Sequence, residues 1–278
     1  LILFIVILLL LYVFVIPLTI ILRLDWLICR KAKKEIKQTP DIFNLQYTEH
    51  FVSVDNALLQ TWWIPASSDI KKTLVFIHGN ARNISFFCDY FYDLHKELNV
   101  NIFAISLRGY GKSSGKASLK YMSEDVYNCI NFFSSTYKIQ LKDIIILGRS
   151  QGASIAAQLA VNHKYAGVIL ESGISSINDF IIYKLKKSII FYPYKWLNLA
   201  NLTAINFDTY SNLKKINTPV LLIHGLKDNT VPIDMAIKNL SASTNIKHIW
   251  FEDAGHANCW KFNPYCQEVN NFIDHSVR

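Results

Sequence analysis

Hydrophobic and polar positions divide the chain into three regimes. Residues 1–22, LILFIVILLLLYVFVIPLTIIL, are apolar almost without a break and carry no charge, with Pro17 and Thr19 as mild interruptions. Wound as a helix, this run is about 33 Å long, enough to cross a hydrocarbon core. A charged stretch, RLDWLICRKAKKEIK, follows over 23–37. Beyond it the pattern shortens. LQYTEHFVSV and LLQTWWIP are β-rich and predict an antiparallel pair at a sheet edge. TLVFIHG, NIFAISL, IIILGR, AGVILES, PVLLIHG and IKHIWF are short apolar runs of the kind found in strands covered on both faces. Amphipathic stretches lie between most of them: NISFFCDYFYDLHKELN, MSEDVYNCINFFSSTYK, QGASIAAQLAVNH and PIDMAIKNLSA. Strand alternating with helix predicts an α/β fold built on a mostly parallel, doubly wound sheet. Residues 175–212, aromatic and basic, are too long for one crossover helix and predict a small helical cap over the carboxyl edge of the sheet. The expected organisation is therefore a transmembrane anchor over 1–22, a basic juxtamembrane linker over 23–44 and an α/β domain over 45–278.

The apolar run is longer than the core of a secretory signal, and no A-x-A-like site follows it, which favours an uncleaved single-pass anchor. Six basic residues (Arg23, Arg30, Lys31, Lys33, Lys34, Lys37) against Asp25 and Glu35 supply half of the chain's net charge of +8. An excess concentrated there fits anionic lipid headgroups, or a solvated linker, and argues against a nucleic-acid surface. By the positive-inside rule the domain would face the cytoplasm. Five cysteines with no C-x-x-C spacing indicate neither a disulfide framework nor a zinc site. Cys29, just past the anchor, is a candidate for S-acylation or an inert thiol. The N-x-S/T sequons at Asn83, Asn201 and Asn239 are about as many as this composition yields by chance, so they assign no compartment.

Two segments match G-x-S-x-G: GKSSG around Ser113 and GRSQG around Ser150. Only Ser150 lies directly between an apolar strand and a helix-like run, the context in which a sharp elbow lifts a serine off the sheet. Ser113 sits in a loop, and that loop lacks the first glycine of a phosphate-binding motif. A serine hydroxyl needs an imidazole base, which in turn needs an orienting carboxylate. Asp228 follows the strand PVLLIHG and His256 follows IKHIWF, so the order Ser150, Asp228, His256 is the serine–acid–histidine order of α/β-hydrolases. Glu171 is a weaker candidate for the acid. His78 and His224 are out of order and read as loop-shaping. An oxyanion hole would take one backbone N–H from Gln151 at the helix start and one from Asn80 or Ala81, with Gly79 permitting close approach.

The segments HGNARN, RGYGKSSG, GRSQGAS, TPVLLIHGLKDNTVP and AGH resemble the bud-emergence-type group of membrane-anchored α/β-hydrolase proteins, which includes α/β-hydrolase domain-containing proteins 12, 13 and 17. The resemblance runs from about Phe51 to the C-terminus. It implies the α/β-hydrolase fold and serine esterase, lysophospholipase or protein-depalmitoylating thioesterase activity, with Ser150, Asp228 and His256 as the triad. Two departures stand out. Gln151-Gly152-Ala153 replaces a common Leu-Gly-Gly, which would put a carboxamide at the acyl site and alter substrate choice. ANCW follows where relatives often carry Asn-Asp, which would set Cys259 near the base and make it sensitive to oxidation. The reading is a membrane-anchored hydrolase of acyl esters or thioesters, on lipids or acylated proteins, needing no metal or organic cofactor. Its rivals are an aminopeptidase-like enzyme and a non-catalytic scaffold. The first would want an acidic subsite, whereas residues 175–212 hold only Asp179 and Asp208 among many lysines. The second has no need of an intact triad.

Overall fold

A computed structural model describes residues 1–15, 17–19, 22, 28–29, 32–67, 72–187, 194 and 207–276. At the front, α1 (Ile2–Leu10) continues as a π-helical turn over Leu11–Val15, and the helical run Ile2–Thr19 is long and apolar enough to cross a membrane. Its side chains are almost all exposed. Of the basic residues singled out above, Arg23, Arg30 and Lys31 lie outside the described residues, as do Asn201 and most of the middle of the 175–212 insertion.

Eight strands form one sheet in the order β1-β2-β4-β3-β5-β6-β7-β8. β1 (Thr48–Val54) and β2 (Ala57–Ile64) are the antiparallel edge pair, and β2 also runs antiparallel to β4 (Asn101–Ile105). From β4 through β3 (Thr73–Ile77), β5 (Ile144–Arg149), β6 (Gly167–Glu171), β7 (Val220–Gly225) and β8 (Ile246–Phe251) every pairing is parallel. The central strands are apolar on both faces because both faces are covered. Ile144 and Ile146 of β5 enter one core with Val75 and Ile77, while Ile145 and Leu147 enter the other with Leu74 and Phe76.

Helices α2 (Cys88–Leu98) and α8 (Tyr265–Ser276) cover the second face. Helices α3 (Met122–Tyr137), α4 (Gln151–Asn162) and α7 (Ile233–Leu240) cover the first. The sequence reading places no helix after His256. The apolar stripe of α8 is Tyr265, Val269, Phe272 and Ile273, whose i, i+4, i+7, i+8 spacing is helical but is diluted by seven polar neighbours.

Between β6 and β7, α5 (Ile177–Lys186) and α6 (Thr209–Leu213) stand at the two ends of the insertion. Its neck is closed by a bridge between Ser176 and Asp208 and by bonds from Ile177 N–H to the Phe207 carbonyl (2.8 Å) and Tyr210 N–H to the Ser175 carbonyl (3.0 Å). Ser176 and Asp208 also cap α5 and α6 by accepting from Asp179 and Ser211 N–H. The insertion is thus pinned at its base beside the carboxyl ends of the strands. Parallel strands gather the loops after β3, β5, β7 and β8 at that same edge.

Candidate active site

Ser150 sits at the turn from β5 into α4 with φ 55° and ψ −116°, a conformation uncommon for a residue with a side chain. Strain of this kind costs about 1–3 kcal/mol and persists only where surrounding structure imposes it. The constraint is steric. A Cβ on Gly152 would fall 2.2 Å from the Ile77 carbonyl oxygen, so only glycine lets α4 start against β3. Ser150 N–H is also tied to the Glu171 carbonyl at 2.8 Å, fixing the elbow to β6.

His256, from the loop after β8, brings Nε2 within 3.0 Å of Ser150 Oγ and Nδ1 within 2.7 Å of Asp228 Oδ2. Its loop is shaped by Asn258, whose side chain accepts from Gly255 N–H at 2.7 Å. Asp228 is buried on the turn after β7, and its Oδ1 accepts from Thr230 N–H (2.8 Å) and Val231 N–H (2.9 Å). Burial pushes the Asp228 carboxyl up, but the His256 hydrogen bond and charge, with the two amides, outweigh it and hold the group below the usual carboxylate range. An ionised Asp228 accepts the Nδ1 proton, which leaves Nε2 as the lone-pair nitrogen facing the serine.

The other two strand-end histidines have different work. His224 Nε2 donates to the Val231 carbonyl at 3.0 Å and lies 3.4 Å from Asp228 Oδ2, so it braces the turn that carries the acid. Burial lowers its pKa. His78 Nδ1 donates to the Gly79 carbonyl (2.6 Å) and its Nε2 accepts from Leu107 N–H (2.9 Å), which stiffens the loop after β3. Burial brings it down to about 4.

That loop passes against Ser150: a Cβ on Gly79 would lie 2.8 Å from Ser150 Cβ and 3.3 Å from its Oγ. Asn80 follows immediately, with its side chain turned into hydrogen bonds. Its Oδ1 accepts from Tyr110 Oη and Ala81 N–H, both at 2.8 Å, and its Nδ2 donates to the Ile28 carbonyl. The Gln151 N–H, first in α4, has no intrahelical acceptor. Both polar atoms of the Gln151 side chain are buried without a hydrogen-bond partner.

Ser113 is fully buried, donates to the Ser106 carbonyl (2.7 Å) and accepts from Gln60 N–H (2.9 Å), so it clasps a loop. Glu171 is engaged elsewhere: its carboxylate takes the Tyr265 hydroxyl at 2.9 Å and faces Arg149 at 3.3 Å. Cys259 is buried, and burial pushes its thiol up to about 12, the opposite of an oxidation-prone site. Cys29 is buried as well, and so are the sequon residues Asn83 and Asn239. Among the described residues no cluster of three or more His, Cys, Asp or Glu is arranged to hold a metal ion. The Thr230 and Val231 amides, Tyr110, and the Arg149–Glu171 pair have no signal in the sequence pattern, because each acts through a contact that only folding creates.

Residues 68–200 match the family model described as Serine aminopeptidase, S33 (Hydrolase_4). Curated relatives include α/β-hydrolase domain-containing protein 17C of Xenopus laevis, 27% identical over 222 residues that make up 80% of this chain and 67% of the relative. Protein 17B of Homo sapiens is 27% identical over 216 residues, 77% and 70% of the two chains. Among solved structures, an esterase from Pyrococcus furiosus superposes with a TM-score of 0.73 at 22% identity, covering 89% of this chain and 99% of its own. An α/β hydrolase from Vibrio vulnificus gives 0.72 at 19% identity, covering 87% and 89%.

Proposed function

From the premise that this chain is an α/β-hydrolase of the group containing the domain-containing 17 proteins, we propose that it is a membrane-anchored serine hydrolase of acyl esters or thioesters. The carrying observation is the hydrogen-bonded relay from Ser150 Oγ to His256 Nε2 (3.0 Å) and from His256 Nδ1 to Asp228 (2.7 Å). Ser150 Oγ attacks the acyl carbonyl while His256 Nε2 takes its proton. Asp228 keeps the imidazole oriented and stabilises the imidazolium. The tetrahedral oxyanion turns toward the N–H groups of Gln151 and Asn80. Collapse expels an alcohol or thiol, protonated by His256, and leaves an acyl-serine. Water, deprotonated by the same imidazole, then releases the acid and restores Ser150.

The helix Ile2–Thr19 carries the enzyme in a bilayer with the catalytic domain on the cytoplasmic side. An anchored enzyme whose insertion begins beside its site suits acyl chains of lipids or acylated proteins at the membrane surface. The aminopeptidase reading draws on the description of the matching family model. Against it, the two acidic side chains of the insertion are engaged: Asp179 is bound by Lys238 and Ser175, and Asp208 by Ser211.

Turnover of an acyl thioester, a carboxylic ester and an aminoacyl amide by the full chain in nanodiscs separates these readings. Cleavage of the first two is expected, with a loss of about 10⁴-fold in kcat for Asp228→Asn. Preferential amide cleavage, or an Asp228→Asn variant within tenfold of the natural chain, would reject the proposal.

A further inference from the structure

The described residues that follow the apolar helix are bound to the loop after β3 and to the loop after β4. Cys29 is buried in the main core, with Ile28 and Ala32 packed against it. The Ile28 carbonyl takes the Asn80 side chain. The Lys33 carbonyl accepts from Gly111 N–H (2.8 Å) and from Asn83 Nδ2 (3.0 Å), which also reaches the Glu35 carbonyl at 2.7 Å. Lys37 N–H donates to Ser85 Oγ at 2.9 Å, and Lys34 Nζ donates to the Ser113 carbonyl. Asn83 Oδ1 in turn holds Ser85 through its N–H and hydroxyl at 3.0 and 2.6 Å. Two carboxamides, Asn80 and Asn83, therefore stitch the backbone carbonyls of Ile28, Lys33 and Glu35 to the loop that passes Ser150.

We infer that Ile28 and residues 33–37 are a working part of the oxyanion hole: through Asn80 and Asn83 they set the position of the Asn80 N–H, so the membrane-proximal segment governs turnover as well as attachment. The inference rests on the serine-hydrolase reading above. Its physical basis is the steep dependence of transition-state stabilisation on donor position. A displacement of about 1 Å costs on the order of 100-fold, and a preorganised donor acts only where the oxyanion forms. The Asn80 side chain makes three hydrogen bonds, to Tyr110, Ala81 and Ile28, which hold the residue in place. Asn80 contributes its N–H to the reaction; Asn83, Ser85 and Tyr110 are positioning residues that touch no reacting atom.

Three full-chain variants in nanodiscs test this against a purely structural role. Asn83→Asp keeps the acceptor that holds Ser85 and replaces the donor aimed at the Lys33 and Glu35 carbonyls with a carboxylate. Ser85→Ala frees the Lys37 N–H while deleting a single hydroxyl. Tyr110→Phe removes one hydrogen bond from the Asn80 carboxamide and keeps the ring. Competent sites are counted by titration with a fluorophosphonate, and kcat is expressed per titrated site. The expected result is a fall in kcat of about 10- to 100-fold for Asn83→Asp and about 3- to 10-fold for the other two, with KM within twofold. The pH profile of kcat/KM stays in place, because the His256–Asp228 pair is untouched; a general loosening of the site would move it. If Asn83→Asp loses titratable sites, the two smaller variants decide. Values of kcat per site within twofold of the natural chain for Ser85→Ala and Tyr110→Phe would overturn the inference. A natural chain that neither titrates nor turns over would instead fail the hydrolase reading itself.

Discussion

Histidine 78 illustrates how a single residue ties the site to solution pH. It is fully buried, and its ring proton sits on Nδ1 because Nε2 must accept from Leu107 N–H. A second proton would break that bond, and burial brings the group from 6.5 to about 4. Between those values the unfolded chain binds more protons than the folded one, so stability falls as pH drops through the window and loses nothing further from this group below it. The total is on the order of 3 kcal/mol. Melting curves of the natural chain and His78→Gln at pH 7 and pH 5 check this: the natural chain is expected to lose more stability than the variant. Equal losses would contradict it. Residues such as Ser150, Asp228 and His256 were legible because their order and their strand-end positions can be read along the chain. His78 was legible only as loop-shaping, since its partner Leu107 lies on another strand's end.

At the scale of elements, β5 and α8 are joined beneath the elbow by a buried polar group. Arg149 faces Glu171 of β6, Glu171 takes the Tyr265 hydroxyl from α8, and the Tyr265 and Tyr90 hydroxyls meet at 2.6 Å. The Arg149 guanidinium lies 5.3 Å from the centroid of the Phe87 ring. Removing one partner of a buried ion pair leaves the other uncompensated, which costs about 3–5 kcal/mol, whereas replacing both with apolar groups is often neutral. Glu171→Gln is therefore expected to lower the melting temperature sharply, and Arg149→Met with Glu171→Leu to recover much of the loss. A Glu171→Gln variant that melts with the natural chain would refute this account of the pair. The sequence made β3 to β7 plain, because strands covered on both faces are continuous apolar runs bounded by turns. It marked the edge strand β8 by Ile246, Ile249, Trp250 and Phe251, although Lys247 and His248 are exposed there. It hid α8, whose buried stripe is four residues among polar ones. It hid the seam between residues 28–37 and the β3 loop altogether, since those partners are about fifty positions apart and meet through backbone carbonyls that have no residue signature.

At the scale of the whole molecule, an exposed apolar helix precedes a domain whose reactive loops all lie along one sheet edge. Tyr194, inside the insertion, donates its hydroxyl to the Tyr12 carbonyl, and the two rings lie 5.1 Å apart. With the Ile28–Asn80 bond, this brings the N-terminal segment against the insertion as well as against the loop beside Ser150. The long apolar run made the first helix legible, and the alternation of strands and helices made the sheet legible. Their contact was not, because neither pattern records which surface the helix meets. Of the two serines that share the motif, Ser150 faces the His256 imidazole and Ser113 is a buried clasp. Labelling of membranes carrying the full chain with a fluorophosphonate, for the natural chain, Ser150→Ala and Ser113→Ala, tests that most directly. Labelling is expected to disappear with Ser150→Ala and to persist, per folded molecule, with Ser113→Ala. Labelling that survives Ser150→Ala, or a folded natural chain that takes no label, would contradict it.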